Sequence, residues 1–382
     1  MRVLITTDTV GGVWTYAMEL CRSMQSASVE FALATMGAPL SDSQRREAEH
    51  LGNVEVLESD YKLEWMKDPW EDVKRAGHWL LEVEDRFRPD VVHLNGYAHG
   101  ALPFRAPIVA VAHSCVLSWW EAVKGGAAPA TWDRYGREVA AGLHGADLIV
   151  APSAAMGGAL QKHYGPLPAV KVIHNARDAS MYRPADKEGF ILSAGRLWDE
   201  AKNVGALARV AKDLPWPVCV AGDEKGPQGS GVNGQSFENV LALGRLEPGT
   251  LAGWMARADV YALPARYEPF GLSALEAGLS GCALVLGDIP SLREVWQDAA
   301  VFVPPNNQGE LRNALLDLIR RPARRAEMAR RAIRRAAEFA PYRMADAYLS
   351  AYGQVLRRRA AIDRGAAAGE SRIVPQAVGV RV

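Results

Sequence analysis

Apolar residues gather in short unbroken runs: residues 3–6, 31–35, 54–57, 91–94, 108–112 and 148–151, then 170–173, 190–194, 218–221, 240–243, 260–263, 283–286 and 301–303. Most are rich in Val, Ile and Leu and lack polar alternation, the pattern of strands covered on both faces. Stretches of helical spacing separate them, such as Val13, Ala17, Leu20 and Met24. Strands alternating with helices predict βαβ units, parallel sheets and an α/β fold. Thirteen runs are too many for one ordinary open sheet, and 382 residues exceed the ~250–300 that one core organises. Two sheets of six or seven strands follow, each with its own helices.

The break falls near residues 173–184, where the strand pattern pauses and Pro184 with Lys187-Glu188-Gly189 marks a surface turn. The units are then 1–176 and 177–340. The segment 322–340 is predicted helical, with Ala329, Ile333, Ala336 and Ala340 as its buried stripe, and a second helix over 342–356 follows Pro341. Beyond residue 358 small and polar residues dominate, and Pro375 interrupts them, so 359–382 is expected to be a flexible tail.

Composition narrows the class. Apolar residues make up 49% and charged residues 23%, as in an ordinary globular enzyme. Lys plus Arg and Asp plus Glu are 44 each, so nothing in the net charge draws the chain to nucleic acid. Cys21, Cys115, Cys219 and Cys282 are far apart and form no C-x-x-C pair, which argues against a disulfide framework or a zinc site. The first apolar run is too short for a signal peptide, and no run approaches the ~18 residues of a membrane span. The chain reads as soluble and cytoplasmic, with membrane contact only peripheral.

In open parallel sheets ligands bind beyond the carboxyl ends of the strands, and four clusters stand there. Asp8-Thr9-Val10-Gly11-Gly12-Val13 follows the first strand. Gly11 and Gly12 let the backbone approach a ligand and lead into a helix whose first amides favour an anion; a plain Gly-rich turn reads the same way. Gly195-Arg196 follows the run 190–194, with Lys202-Asn203 opening the next helix. Arg196 offers a planar fork for phosphate and Lys202 a point charge; two solvated cations are the plainer reading, and Asn203 has an N-cap role open to it. Third comes Glu268-Pro269-Phe270-Gly271-Leu272-Ser273-Ala274-Leu275-Glu276. It places Glu268 before a helix starting near Leu272, and Glu276 about one turn inside. Carboxylates accept paired sugar hydroxyls well, although Ser273 to Glu276 also reads as a capping box. Last, His113 ends the run 108–112 and suits a ligand contact, whereas His93, inside a run, reads as a hydrogen-bonded core residue.

Together these residues resemble the retaining glycosyltransferases of family four, over roughly residues 1–340. The most specific piece is the E-x7-E motif from Glu268 to Glu276 with its internal Phe270-Gly271-Leu272. Pro290-Ser291-Leu292-Arg293-Glu294, Ser193-Ala194-Gly195-Arg196 with Lys202, Gly11-Gly12, Ala151-Pro152-Ser153, Asn175 and Asp178 match further landmarks in the same order. The resemblance implies the GT-B architecture: two Rossmann-like domains with parallel sheets facing across a cleft, the first on the acceptor side and the second on the nucleotide-sugar donor side, and a final helix, 341–358, crossing back to the first. It implies that Arg196 and Lys202 hold a donor diphosphate and that Glu276 meets the nucleotide ribose. Glu268 and the amides of Phe270, Gly271 and Leu272 would hold the donor sugar and distal phosphate. His113 would touch the sugar, and Gly12 the phosphate or the acceptor. Two positions depart from the family: Asn203 and Ala176 stand where it usually has glycine, and alanine tolerates positive φ poorly.

The implied reaction moves a hexose-type sugar from a nucleotide diphosphate sugar to a saccharide or lipid-linked acceptor, with retention. No D-x-D triplet occurs, so metal independence and no cofactor are expected. A nicotinamide dehydrogenase would want G-x-G-x-x-G after the first strand, where only Gly11-Gly12 stands. A GT-B epimerase or phosphorylase, or a non-catalytic sugar-binding protein, remain alternatives. The arginines of 324–335 form a basic face, solvated on one reading and drawn to anionic lipid on another. Trp119 and Trp120 read either as a sugar-stacking or lipid-touching patch or as core anchors.

Overall fold

The computed structural model describes residues 1–226 and 239–370. Thirteen strands form among them: β1 Arg2–Asp8, β2 Glu30–Met36, β3 Val54–Leu57, β4 Val91–Leu94, β5 Ile108–Val111, β6 Leu148–Ala151, β7 Val170–Val172, β8 Ile191–Ala194, β9 Val218–Ala221, β10 Leu241–Gly244, β11 Val260–Leu263, β12 Ala283–Gly287 and β13 Val301–Val303. Two all-parallel sheets result, ordered β3-β2-β1-β4-β5-β6-β7 and β10-β9-β8-β11-β12-β13. Both follow the doubly wound 3-2-1-4-5-6 plan, as the α/β, GT-B reading requires.

Burial explains the apolar runs. Every residue of β4, β5, β6, β8, β9, β11 and β12 is buried, because helices cover both faces. The edge strands β3, β7 and β10 are largely exposed or half-buried. The four cysteines are buried and free. Among the described residues no helix is long and apolar enough to cross a membrane.

Helix Gly12–Ser23 is buried more widely than its predicted stripe, since Trp14, Tyr16, Met18 and Glu19 are also covered. The cause lies at the other end of the chain. Helix Pro341–Glu370 packs on it, placing Met344, Tyr348, Tyr352 and Val355 in one core with Val3, Ile5, Tyr16 and Leu20. That helix runs past both predicted ends, at 356 and 358, because its Ala- and Arg-rich continuation is good helix-forming sequence; residues 371–382 of the expected tail lie outside the described residues.

The preceding helix is Pro322–Ala336, shorter than predicted. It buries Ala332 and Ala336 against helix Leu272–Leu279 and β12, leaving Ala329 and Ile333 half-buried and Ala340 outside the helix. Its basic face is knit into the protein. Arg324 pairs with Asp317, Arg325 with Asp259, Arg330 and Arg331 with Glu327, and Arg335 with Glu338.

Candidate active site

Each sheet has a crevice where its strand order reverses, between β1 and β4 in one and between β8 and β11 in the other. The loops leaving these four strands meet around a cavity of about 660 Å³, a size suited to a small-molecule ligand. Gly11, Gly12, His113, Arg196, Lys202, Glu268, Phe270, Gly271, Leu272 and Glu276 all line it. The structure thus gathers every sequence-predicted site residue into one place.

The second sheet supplies the cationic wall. Gly222, after β9, sits so close to the β8 loop that a Cβ there would lie 1.8 Å from the Gly195 carbonyl oxygen; backbone contact fixes the loop that carries Arg196. The Arg196 guanidinium donates to Asp199 at 3.0 Å and lies over Trp198, 5.3 Å from the ring centre. Asp199 also accepts from Trp119 Nε1 and the Ala201 amide, each at 3.0 Å. Burial pushes its carboxyl up, but Arg196, Lys202 and these donors outweigh that and hold it below its usual range. Lys202 is not in a helix, as predicted, but ends the short 3-10 turn Glu200–Lys202, where it pairs with Glu268. Asn203 adopts φ 55°, left-handed backbone that asparagine tolerates in place of glycine. Its side chain does not cap a helix; it donates to the carbonyls of Pro264 and Pro305 at 2.9 and 2.7 Å.

Helix Leu272–Leu279 starts at Gly271, whose φ of 93° calls for glycine. The capping-box reading fails, because no side chain caps this helix and Ser273 is bonded to the Tyr261 hydroxyl at 2.8 Å. The first intrahelical bond runs from Leu275 N to Gly271 O. Amides before it have no partner within the helix, and Phe270 to Ser273 border the cavity.

The first sheet supplies the opposite wall. A Cβ at Gly11 would lie 3.8 Å from an Arg196 nitrogen, and one at Gly12 would lie 3.5 Å from Leu272. Those are ordinary contacts, so packing alone does not demand glycine at either position. Asp8 accepts from the Val10 and Gly11 amides at 3.1 and 3.0 Å and shapes the loop; burial raises its pKa against the pull of the Gly11 amide and Arg196. His113 bonds through Nε2 to Asn95 Oδ1 at 2.8 Å. Burial, with His93 beside it, lowers its pKa to about 3, so the ring is neutral at ordinary pH and offers hydrogen bonding without charge. His93 is fully buried between Asn95 and Tyr352, the core role expected of it.

The two walls are bolted together beneath the cavity. Arg177 joins Glu19 of the first helix, at 3.0 Å, to Glu276, at 2.9 Å, and also donates to Tyr182. Ala176 beside it takes no positive φ, so the departure from glycine costs the turn nothing. Tyr267 accepts from the Cys115 amide at 3.0 Å. Ser153 caps helix Ala154–Tyr164 and donates to the Pro269 carbonyl at 2.8 Å, and Glu294 accepts from the Ala154 and Ala155 amides. Asp178 caps the turn Ala179–Met181, and Asn175 lines the cavity. The side chains of Glu19 and Arg177 are only 1% and 6% exposed, so removing the cation strands the buried Glu19 carboxylate and leaves Glu276 at the cavity edge without its partner. Arg177→Met should cost about 3–5 kcal/mol, read as a lowered midpoint of chemical denaturation; an unchanged midpoint would mean the pair is not desolvated.

Asp199, Arg177, Asn95 and Glu64 carried no role in the sequence. Asn95 directly follows β4 and was open to the strand-end rule that found His113. Glu64 lies between β3 and helix Trp70–Phe87 in chain without regular structure, where no periodicity marks it.

Comparison with known proteins agrees with the geometry. Residues 10–180 match the family model for Glycosyltransferase Family 4, and residues 177–336 match that for Glycosyl transferases group 1. The glycogen synthase of Mycobacterium tuberculosis is 30% identical over 283 residues, covering 67% of both chains. The D-inositol 3-phosphate glycosyltransferase of Kineococcus radiotolerans is 32% identical over 256 residues, 59% of this chain and 56% of that one. Among solved structures, Anabaena Alr3699/HepE in complex with UDP-glucose superposes with a TM-score of 0.74 at 18% identity, over 93% of this chain and 100% of that one.

Proposed function

The chain belongs to the GT-B glycosyltransferases of family 4, group 1, and on that premise we propose that it moves a hexose from a nucleoside diphosphate sugar to an acceptor hydroxyl with retention at the anomeric carbon. The observation that carries this reading is the cationic wall: Arg196, Lys202 and the open end of helix Leu272–Leu279 border one cavity. These groups suit a diphosphate, and HepE, of the same fold, was crystallised with UDP-glucose.

Breaking the bond from the anomeric carbon to the phosphate oxygen sends the electron pair to the diphosphate and leaves positive charge on the ring. Cations fixed at the phosphate stabilise that separation. Arg196 is steadied by Asp199 and Trp198, and Lys202 by Glu268. On binding, the diphosphate displaces Glu268 from Lys202 and frees that carboxylate for the donor sugar. Glu276 keeps Oε1 on Arg177 and turns toward the ribose. The leaving phosphate oxygen, on the same face as the incoming hydroxyl, takes its proton, which gives retention without a protein nucleophile. His113, being neutral, positions the sugar and supplies no proton.

A thermal-shift screen of UDP, ADP and GDP and their glucose conjugates tests the reading. One nucleotide family should stabilise the protein by about 2.7 kcal/mol at a hundred times its Kd, and Arg196→Ala should reduce that shift without removing it. No stabilisation by any of them would defeat the proposal. The cationic wall also supports reaction without a divalent ion. Excess EDTA should therefore leave the initial rate unchanged; a loss restored by Mn²⁺ or Mg²⁺ would refute this.

A further inference from the structure

The wall facing the cationic groups has a different chemistry. Trp65, Trp119, Trp120 and Trp132, four of the chain's eleven tryptophans, line the cavity and are half-buried. Trp119 and Trp120 meet edge to face at 5.7 Å, and Trp132 meets Tyr135 at 5.6 Å, so the rings are braced by neighbours. Beside them Glu64 accepts from the Ala98 amide at 2.8 Å and the Tyr97 amide at 3.1 Å, which fixes its carboxyl at the cavity wall. Two backbone donors leave lone pairs on that carboxyl for further hydroxyls.

Positive charge on this wall is already engaged, for Lys124, 5.9 Å over the Trp119 and Trp120 rings, is paired with Glu200 at 2.7 Å. Asp8 and Glu64 are its carboxylates, and Lys62, the other lysine, is tied to the carbonyls of Lys67 at 3.2 Å and Asp68 at 3.5 Å. The histidines here, His99 and His113, both have lowered pKa values, chiefly through burial. A phosphate group on the acceptor would find Lys62 and Lys124 tied to other partners, with Asp8 and Glu64 beside it. An uncharged sugar meets the opposite situation: its C–H faces lie well on aromatic faces, whose electron-rich surface attracts positive edges, and its hydroxyls donate to carboxylates.

With the acceptor expected on the first domain, we propose that this wall takes the end of a neutral oligosaccharide, stacked on Trp65, Trp120 and Trp132 and held through its hydroxyls by Glu64. The inference rests on the transferase reading above and adds the acceptor class to it. It excludes phosphorylated cyclitols and sugars as the accepting group. Burial also pushes the Glu64 carboxyl up to about 7, so near neutral pH it can either accept from a hydroxyl or donate to one.

The test uses the full chain and its tryptophan fluorescence. Maltotetraose, mannotetraose and N-acetylchitotetraose are titrated against myo-inositol 1-phosphate and glucose 6-phosphate, with and without the nucleotide that raises the melting temperature most. At least one neutral tetrasaccharide should give a saturable change, and neither phosphate should. Trp65→Ala and Trp132→Ala should each weaken that binding about tenfold, and Glu64→Gln severalfold, while all three variants keep the nucleotide-induced melting shift as proof of folding. Tighter binding of either phosphate, no response to any neutral sugar, or unchanged affinity in folded variants would overturn the proposal. Loss of the nucleotide shift in the wild-type chain would count against the donor reading instead, and a saturable response to a neutral sugar would stand apart from it.

Discussion

Arg196→Ala is expected to lower kcat by about 10²–10³-fold, the loss of ~3 kcal/mol seen when one preorganised donor to developing negative charge is removed. Lys202→Ala should behave alike, because it stands on the same wall of the cavity. The fall should appear in kcat more than in KM, since the charge on the leaving phosphate grows toward the transition state. Arg196→Lys should recover only part of the rate: an ammonium keeps the charge, but neither forks to phosphate nor stacks as a plane over Trp198. Folding should survive, because the Arg196 side chain is 39% exposed. Steady-state kinetics with the donor found by thermal shift decide the matter, and two variants with wild-type turnover would refute the role.

The second large effect concerns the far end of the chain. Ending it after Ala340 should leave a protein that does not fold cooperatively. The lost helix buries Met344, Tyr348, Tyr352 and Val355, each 2% exposed or less, in the core beneath the first sheet. At roughly 1.5–3 kcal/mol for each large apolar side chain, the loss approaches the whole ~5–15 kcal/mol stability of a typical domain. Tyr352 also bonds His93 Nδ1 at 2.6 Å, so the cut strands a buried ring nitrogen. Ending the chain after Arg358 should be tolerated, because Arg359, Ala361 and Ile362 are exposed. Chemical denaturation of both truncations is the measurement; a cooperative transition at full strength in the shorter one would show that the first sheet stands alone.

Most strands were legible because doubly covered strands leave continuous apolar runs, and the exposed edge strands β3, β7 and β10 left runs as well. The strand-end residues were legible through a rule of topology: Arg196, Lys202, Glu268 and His113 follow strands whose carboxyl ends face the crevices. Contacts between distant segments were not. Nothing in the local sequence says that Arg177 will sit between Glu19 and Glu276, for those partners are 158 and 99 positions away and meet only once both sheets exist. Helix ends were misjudged for a related reason. Burial of one face and the reach of good helix formers set them, so the last helix outran its apolar stripe. Glu64 stayed hidden because irregular chain has no period from which an outlier could be told.

Arg196 and Gly11 nearly touch across the cavity although 185 positions separate them. The two banks of the cleft are thus written in different stretches of chain, one before Arg177 and one after it, joined by that bolt and by the contacts of Tyr267 with Cys115, Ser153 with Pro269 and Glu294 with Ala154 and Ala155. Substitutions that retune one bank need not disturb the other, so a lineage can exchange the molecule that receives the sugar while keeping the one that delivers it. Hybrids spliced at Arg177 between members of the family would offer such recombination, provided the last helix stays with the first sheet it packs on and Glu19 and Glu276 are kept.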